Sequence, residues 1–244
     1  MKVVTLGATR GMGRSLARLL AGRGDSIHVL GRNALDLVKC AEDLKARGAA
    51  TVSTGVCDLM DPASFTPAFD AADAAIGGFD TVILSAGIFG TQDELANDRA
   101  RAAAVLTTNF TNSVLFCEEA RVRLLARGGG RLVVFSSVAG ERGRKPVVLY
   151  GSTKAGLSAY LEGLDILYRS AGLITTTVKP GFVRTSMTQG LKEPPFAADP
   201  DDAARTVLSG ILRGASVVYA PPIWALVMMV IRLLPRAVMR RVNF

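Results

Sequence analysis

The sequence predicts an α/β fold: one doubly wound parallel sheet of about seven strands, helices on both faces, and an apolar and basic helical tail at the C-terminus. Three observations predict it. Short apolar runs alternate with longer stretches of helical period through the first 220 residues. Several runs are apolar almost throughout, as strands buried on both faces must be. The first run passes directly into a glycine-rich turn and then a helical pattern. At 244 residues the chain suits a single domain with a sizeable core.

The elements follow in order. Lys2 to Leu6 forms the first strand, and Gly7, Gly11 and Gly13 punctuate the turn into a helix over 11–22. Gly7 permits the tight turn, Gly11 lets backbone approach a pyrophosphate, and Gly13 allows close helix–strand packing. The free N–H groups of the helix start then suit a phosphate. Thr9, Arg10 and Met12 lie in the same loop. The second strand, 26–30, runs into Gly31-Arg32-Asn33, where an NAD-specific protein would carry a ribose-binding acid. The acid is missing and a guanidinium stands there. A 2′-phosphate needs cations, and arginine matches phosphate with a bidentate fork, so Arg32 and Arg10 predict NADP(H) rather than NAD(H). A helix over 34–47 leads to strand 51–56, after which Asp58 and Leu59 are placed to meet the adenine.

Next come a helix over 61–76, a strand over 79–84 followed by Ser85-Ala86-Gly87, and a long helix over 93–127 carrying Asn109. Polar asparagine is disfavoured inside a helix, so a polar task there is plausible. Strand 131–136 ends at Ser137, and helix 149–171 opens with Tyr150-Gly151-Ser152-Thr153-Lys154. Tyrosine and lysine at i and i+4 share one helix face. An ammonium near a phenol favours the phenolate and brings its pKa toward the working range. The loop from Val138 to Leu149 can bring the Ser137 hydroxyl beside that phenol. Strand 173–179 ends at Pro180-Gly181, helix 200–213 and strand 216–220 complete the sheet, and ligands in such a fold bind beyond the carboxyl ends of the strands.

These ordered motifs identify residues 1 to about 220 as resembling the short-chain dehydrogenase/reductase family, in its compact branch with a Rossmann-type fold. The glycine motif falls on Gly7, Gly11 and Gly13, the Asn-Ser-Tyr-Lys tetrad on Asn109, Ser137, Tyr150 and Lys154, and the turn after the sixth strand on Pro180-Gly181 with Val183 and Thr185. One departure is Ser85, where the family carries asparagine before Ala86-Gly87, and it bears on strand packing rather than chemistry. The resemblance implies that Tyr150 transfers a proton to or from the substrate oxygen and that Ser137 hydrogen-bonds that oxygen. It implies that Lys154 lowers the tyrosine pKa and binds the nicotinamide ribose, and that Asn109 holds a water in a proton relay. It also implies that Val183 and Thr185 meet the nicotinamide end, that residues 186–199 form a mobile lid over the substrate, and that the long helices pair into a homodimer or homotetramer. No metal is required. The expected activity is hydride transfer between NADP(H) and a ketone or secondary alcohol.

Charge and histidine count narrow the alternatives. The net charge is +8, from 29 basic and 21 acidic side chains, and the one histidine, His28, excludes sites needing two. His28 reads as structural, and Cys40, Cys57 and Cys117 read as small apolar residues in a reducing, cytoplasmic compartment, with no leader peptide expected. Half the net charge sits in residues 221–244, where Arg232, Arg236, Arg240 and Arg241 have no acid among them. Nine apolar residues, Ile223 to Ile231, precede these arginines, too few to span a membrane. The tail is compatible with an interfacial membrane helix, with packing on its own domain, or with an oligomer contact. Similar arginine-rich tails occur in family members acting on lipid-linked or long-chain substrates, so the expected partner is an apolar or lipid-linked carbonyl compound. A soluble small-molecule ketone, and a catalytically silent NADP-binding regulator, are the alternatives. Arg142, Arg144 and Lys145, between Ser137 and Tyr150, form a basic run that either faces an anionic group or is solvated. No basic stripe interleaves with aromatic residues, so nucleic acid is not an expected partner.

Overall fold

Every strand of the sheet runs parallel. The computed structural model describes residues 1–242 and has strands β1 (Lys2–Leu6), β2 (Ser26–Gly31), β3 (Thr51–Val56), β4 (Thr81–Leu84), β5 (Gly130–Phe135), β6 (Leu173–Pro180) and β7 (Val217–Ala220). Their order is β3-β2-β1-β4-β5-β6-β7. Chain direction of travel reverses between β1 and β4, whose ends lie side by side through the Leu6 and Leu84 pairing. The crevice beyond those two strand ends is where such sheets take their ligands.

Side-chain alternation builds a core on each face. Val4 and Leu6 of β1 and Leu132 and Val134 of β5 point to one side, toward α3 (Phe65–Ile76), α6 (Ser113–Ala126) and α7 (Val148–Tyr168). Val3, Val133 and Phe135 point to the other, toward α1 (Gly11–Gly22), α2 (Ala34–Ala46) and α8 (Pro200–Leu212). The three cysteines are buried, strands β1, β4 and β5 are buried on both faces while β3 at the sheet edge has no buried residue, and the expected parallel α/β sheet with helices on both faces is borne out. His28 is buried and bonded to Ser53 at 2.8 Å, and burial holds its pKa down to about 4, so it is neutral within β2.

The expected continuous helix over 93–127 is a correction. It is broken into α4 (Gln92–Asn97), α5 (Arg99–Leu106), a π-helical turn (Thr107–Asn112) and α6. The first break has a local cause: Asp98 is extended, and its carboxylate accepts from the Arg101 N–H at 2.9 Å, which starts a new helix. The N-terminal end of α4 is closed by a capping box between Thr91 and Glu94. Periodicity alone does not register these breaks, because apolar positions keep their spacing across them.

After β7 the chain forms α9 (Ile223–Leu233) and the short α10 (Arg236–Met239). Trp224 and Met228 of α9 pack with Val138 in a small third cluster, so the tail lies against the loop that follows β5. No helix among the described residues is long and apolar enough to cross a membrane.

Candidate active site

The glycine turn sits at the crevice between β1 and β4. A Cβ at Gly13 would fall 2.3 Å from both the Gly7 carbonyl oxygen and the Ser85 hydroxyl oxygen, so any side chain there would push α1 off the strand ends. Ser85 takes a structural part in this contact: its N–H and that of Ala86 both donate to the Leu6 carbonyl, and its hydroxyl donates to the same oxygen at 3.3 Å. Serine therefore holds β4 to β1 where the resemblance implies asparagine. No side chain caps the start of α1, which leaves its first N–H groups free for an anion.

The remaining candidate cofactor residues surround that turn, in different ways. Arg32 is exposed at the end of β2 and enters no ion pair among the described residues. Arg10 is also exposed and rests on Asp36 at 3.1 Å. Asn33 has a structural duty, since its side chain caps α2 by accepting from the Asp36 N–H at 3.0 Å. Asp58 turns its carboxylate onto the Met60 N–H at 2.9 Å. The Leu59 side chain is in the core and its carbonyl accepts from Asn112 at 2.8 Å. Val183 likewise buries its side chain and Met12 packs against the same core, so these three offer a ligand mainly backbone. Thr9 faces Gly31, and the Thr185 methyl approaches to 3.4 Å of where a Gly11 Cβ would stand, which brings the segment after β6 over the glycine turn. Taken together, a glycine cradle that a Cβ would fill, an uncapped helix start and an unpaired guanidinium fit a dinucleotide bearing a 2′-phosphate.

The four candidate catalytic residues converge on the next crevice wall. Tyr150 is buried at the start of α7 with its ring against Phe89, centroids 5.0 Å apart at 71°. Ser137 ends β5 and anchors a short turn, accepting from the Ala139 N–H at 3.1 Å, and its hydroxyl also reaches the Pro180 carbonyl at 3.5 Å. Lys154 is buried one helical turn beyond Tyr150. Asn109 is fully buried in the π turn, a helical irregularity often found at functional sites. A Cβ at Gly87 would fall 3.1 Å from the Asn109 side-chain Oδ1 and 3.7 Å from the Lys154 ammonium, so the loop after β4 packs against both.

Two expected roles look different in the folded site. The Asn109 amide exchanges two hydrogen bonds with Ile88, donating to its carbonyl at 2.7 Å and accepting from its N–H at 2.9 Å. Its side chain thus fastens the loop after β4 to the helix layer. The Lys154 ammonium donates to the Phe135 carbonyl at 2.8 Å and lies 5.8 Å from the Tyr150 ring centroid. Burial pushes the Tyr150 phenol up to about 12, and what pulls it back is a hydrogen bond with Ser137 and the Arg144 guanidinium. Burial also brings the Lys154 ammonium down to about 8.

The basic run between Ser137 and Tyr150 divides its duties. Arg142 donates to the Leu234 carbonyl at 2.6 Å and Lys145 to the Arg240 carbonyl at 2.7 Å, so both hold the tail rather than an external anion. The Arg144 guanidinium makes no hydrogen bond or ion pair among the described residues, its Nε is buried, and its charge faces Tyr150. Sequence gave equal standing to the three. The fold separates them.

Trp224 is a second residue that sequence reasoning did not assign to the site. Its indole occupies the space a Gly181 side chain would need, 2.0 Å from the ring nitrogen, and donates to the Phe196 carbonyl at 3.3 Å. Phe196 is the non-glycine residue with positive φ, +64°, among the described residues. Arg184, just before the expected lid, clamps its Glu193 at 2.6 Å and Asp199 at 3.1 Å, and Phe182, Thr185, Gln189 and Leu191 line an open groove there. Met187 and Phe196 are exposed on this segment.

Comparison with known proteins follows the same outline. Residues 1–195 match the family model of short chain dehydrogenases. An uncharacterized oxidoreductase of Mycobacterium tuberculosis is 36% identical over 241 residues, covering 98% of this chain and 96% of that protein. Carbonyl reductase family member 4 of Danio rerio is 32% identical over 190 residues, 78% of each chain. Among solved structures, a short-chain dehydrogenase from Sphingobium yanoikuyae in complex with NADPH superposes with a TM-score of 0.80 at 24% identity, covering 90% of this chain and 87% of that one. At that identity the likeness is one of fold.

Proposed function

The chain belongs to the short-chain dehydrogenase/reductase family and is an oxidoreductase, and from that premise we propose that it is an NADP(H)-dependent reductase of ketones, reversible as a secondary-alcohol dehydrogenase. The observation that carries the proposal is the buried Tyr150, with Ser137 and Lys154, beside a glycine cradle at the same strand ends. When bound, the dinucleotide supplies or takes up the hydride. Gly7, Gly11, Gly13 and the α1 N–H groups would hold its phosphates, Arg32 and Arg10 its 2′-phosphate, Asp58 its adenine, and Lys154, Gly181 and Thr185 its nicotinamide end.

The chain's own residues handle the proton. A phenol pushed up to about 12 stays protonated at neutral pH, so Tyr150 has a proton to donate to the substrate oxygen in reduction. Ser137 donates a hydrogen bond to the same oxygen and stabilises the charge that develops there. In oxidation Tyr150 must first lose its proton, and Arg144 and Ser137 favour that phenolate. Replacing Arg144 with glutamine removes a charge that lowers the tyrosine pKa. The rising limb of the pH profile for alcohol oxidation is therefore expected to move to higher pH, with ketone reduction at neutral pH little changed. An unmoved limb would remove Arg144 from this role.

Cofactor choice is tested by kinetics with NADPH and NADH. One charge-assisted arginine–phosphate pair contributes roughly 1.5–3 kcal/mol. Arg32→Ala is therefore expected to lower kcat/KM for NADPH by at least about tenfold and to affect NADH much less. A wild-type preference for NADH would overturn the assignment. The exposed Met187 and Phe196 support an apolar or lipid-linked ketone. Exposed apolar residues on α6 and α7, among them Leu115, Val122, Ile166 and Leu167, support a homodimer or homotetramer through these helices. Cytoplasmic placement remains part of the same proposal.

A further inference from the structure

Helix α9 is apolar nearly all round, and only half of it is covered. Trp224 and Met228 are buried, with Val227 and Ile231 packed beside them against Val138. On the opposite side Ile223, Leu226, Met229, Val230 and Leu233 recur at helical spacing and are exposed, Leu233 at 81%. A helix with apolar residues on every side is ordinarily buried all round. Here the outward stripe has no partner within the described chain.

That stripe is a held surface. Arg142 bonds the Leu234 carbonyl, Lys145 bonds the Arg240 carbonyl, and the Trp224 indole bonds the Phe196 carbonyl. The helix is thus fastened at both ends, and its buried face sits on the Gly181 turn and the lid. Arg232, Arg236, Arg240 and Arg241 are all exposed around it, and residues 221–244 contain no acid. Among the described residues, the carboxylate that pairs with this cluster is Glu141, 4.0 Å from Arg232.

We propose that α9 and α10 form an interfacial element that docks this protein on an anionic lipid bilayer, the outward stripe entering the acyl boundary and the arginines meeting lipid phosphates. Charge decides between occupants. A second copy packed tail on tail would add four more arginines and, from residues 221–244, no acid to meet them. An anionic bilayer supplies the missing charge and an apolar layer together. Eleven residues of helix extend about 16 Å, which suits lying in the interface and not crossing it. The proposal stands apart from the catalytic reading, since it uses none of the residues assigned to chemistry. It also joins the lipid surface to the lid, because the helix carrying the stripe is the one whose tryptophan bonds Phe196.

The test is vesicle flotation of the full chain. Wild type is expected to float with vesicles containing about one-third phosphatidylglycerol, to stay behind with phosphatidylcholine alone, and to be released in part by high salt. The double variant Leu226→Glu, Val230→Glu is expected to lose the bilayer partition by more than about tenfold. Its thermal midpoint and light-scattering mass should equal those of wild type, because both residues face outward. Wild type that ignores anionic vesicles overturns the proposal, as does a double variant that floats unchanged. A double variant with fewer protomers per particle overturns it too, by assigning the stripe to a second copy.

Discussion

Replacing Tyr150 with phenylalanine is expected to lower kcat/KM for ketone reduction by about 10³-fold, in the middle of the range for loss of a positioned general acid. The substitution removes one hydroxyl and leaves the ring against Phe89. No apolar area is lost from this buried position, and the hydrogen bond with Ser137 is worth about 1 kcal/mol. The fold and dinucleotide affinity should therefore survive, because the glycine cradle, Arg32 and Lys154 are untouched. Steady-state kinetics paired with a fluorescence titration of NADPH separates the two effects. A phenylalanine variant of near wild-type activity would end the assignment of Tyr150 as proton donor. An inactive variant that also fails to bind dinucleotide would instead indicate a packing role.

Lys154→Met should do something less familiar: disable the enzyme and stabilise it. Lys154 is 5% exposed, and burial lowers its pKa from the usual 10.5 to about 8. At neutral pH the ammonium is charged in both folded and unfolded chains, and the folded chain bears the desolvation. By linkage that difference amounts to roughly 3 kcal/mol. Methionine removes it and loses the bond to the Phe135 carbonyl, which costs about 1 kcal/mol. A net gain of roughly 2 kcal/mol corresponds to a rise in Tm of about 4–8 °C at this chain length. The pH dependence has a definite sign. Between about 8 and 10.5 the unfolded chain binds the extra proton, so wild-type stability climbs with pH and the advantage of methionine shrinks, vanishing above the upper value. Activity should fall about 10²-fold or more, since the ammonium no longer orients the ribose beside Tyr150. Melting curves at pH 7 and 10 check the sign, and a lower Tm at pH 7 would contradict it.

Much of this molecule was legible from the sequence. The strands were visible as short apolar or β-branched runs between helical stretches, and β1, β3 and β7 fall where the runs predicted them, within a residue or so. The glycine turn was legible because only glycine tolerates the approach of Gly7, Gly13 and Ser85. Tyr150 and Lys154 announced themselves by helical spacing. Harder to see were the break at Asp98 and the π turn around Asn109, because a capping carboxylate or one extra residue in a helical turn leaves the hydrophobic period almost intact.

The sequence by itself therefore determined the parallel sheet, the crevice at its switch point and the set of polar residues delivered to it, since each follows from local period and strand ends. Only the tertiary structure decided how those residues share their work. Lys154 bonds a backbone carbonyl while Arg144 turns its charge to the phenol. Arg142 and Lys145 hold a tail about ninety residues away in sequence. The tail's apolar run, uniform as a string of letters, splits into a face on Trp224 and Met228 that seals the Gly181 turn and a face left outside. The reason is physical: side-chain direction along one element is set by the local helix or strand period. Which elements come to lie against each other is set by burial of the whole core, and no window of sequence contains that.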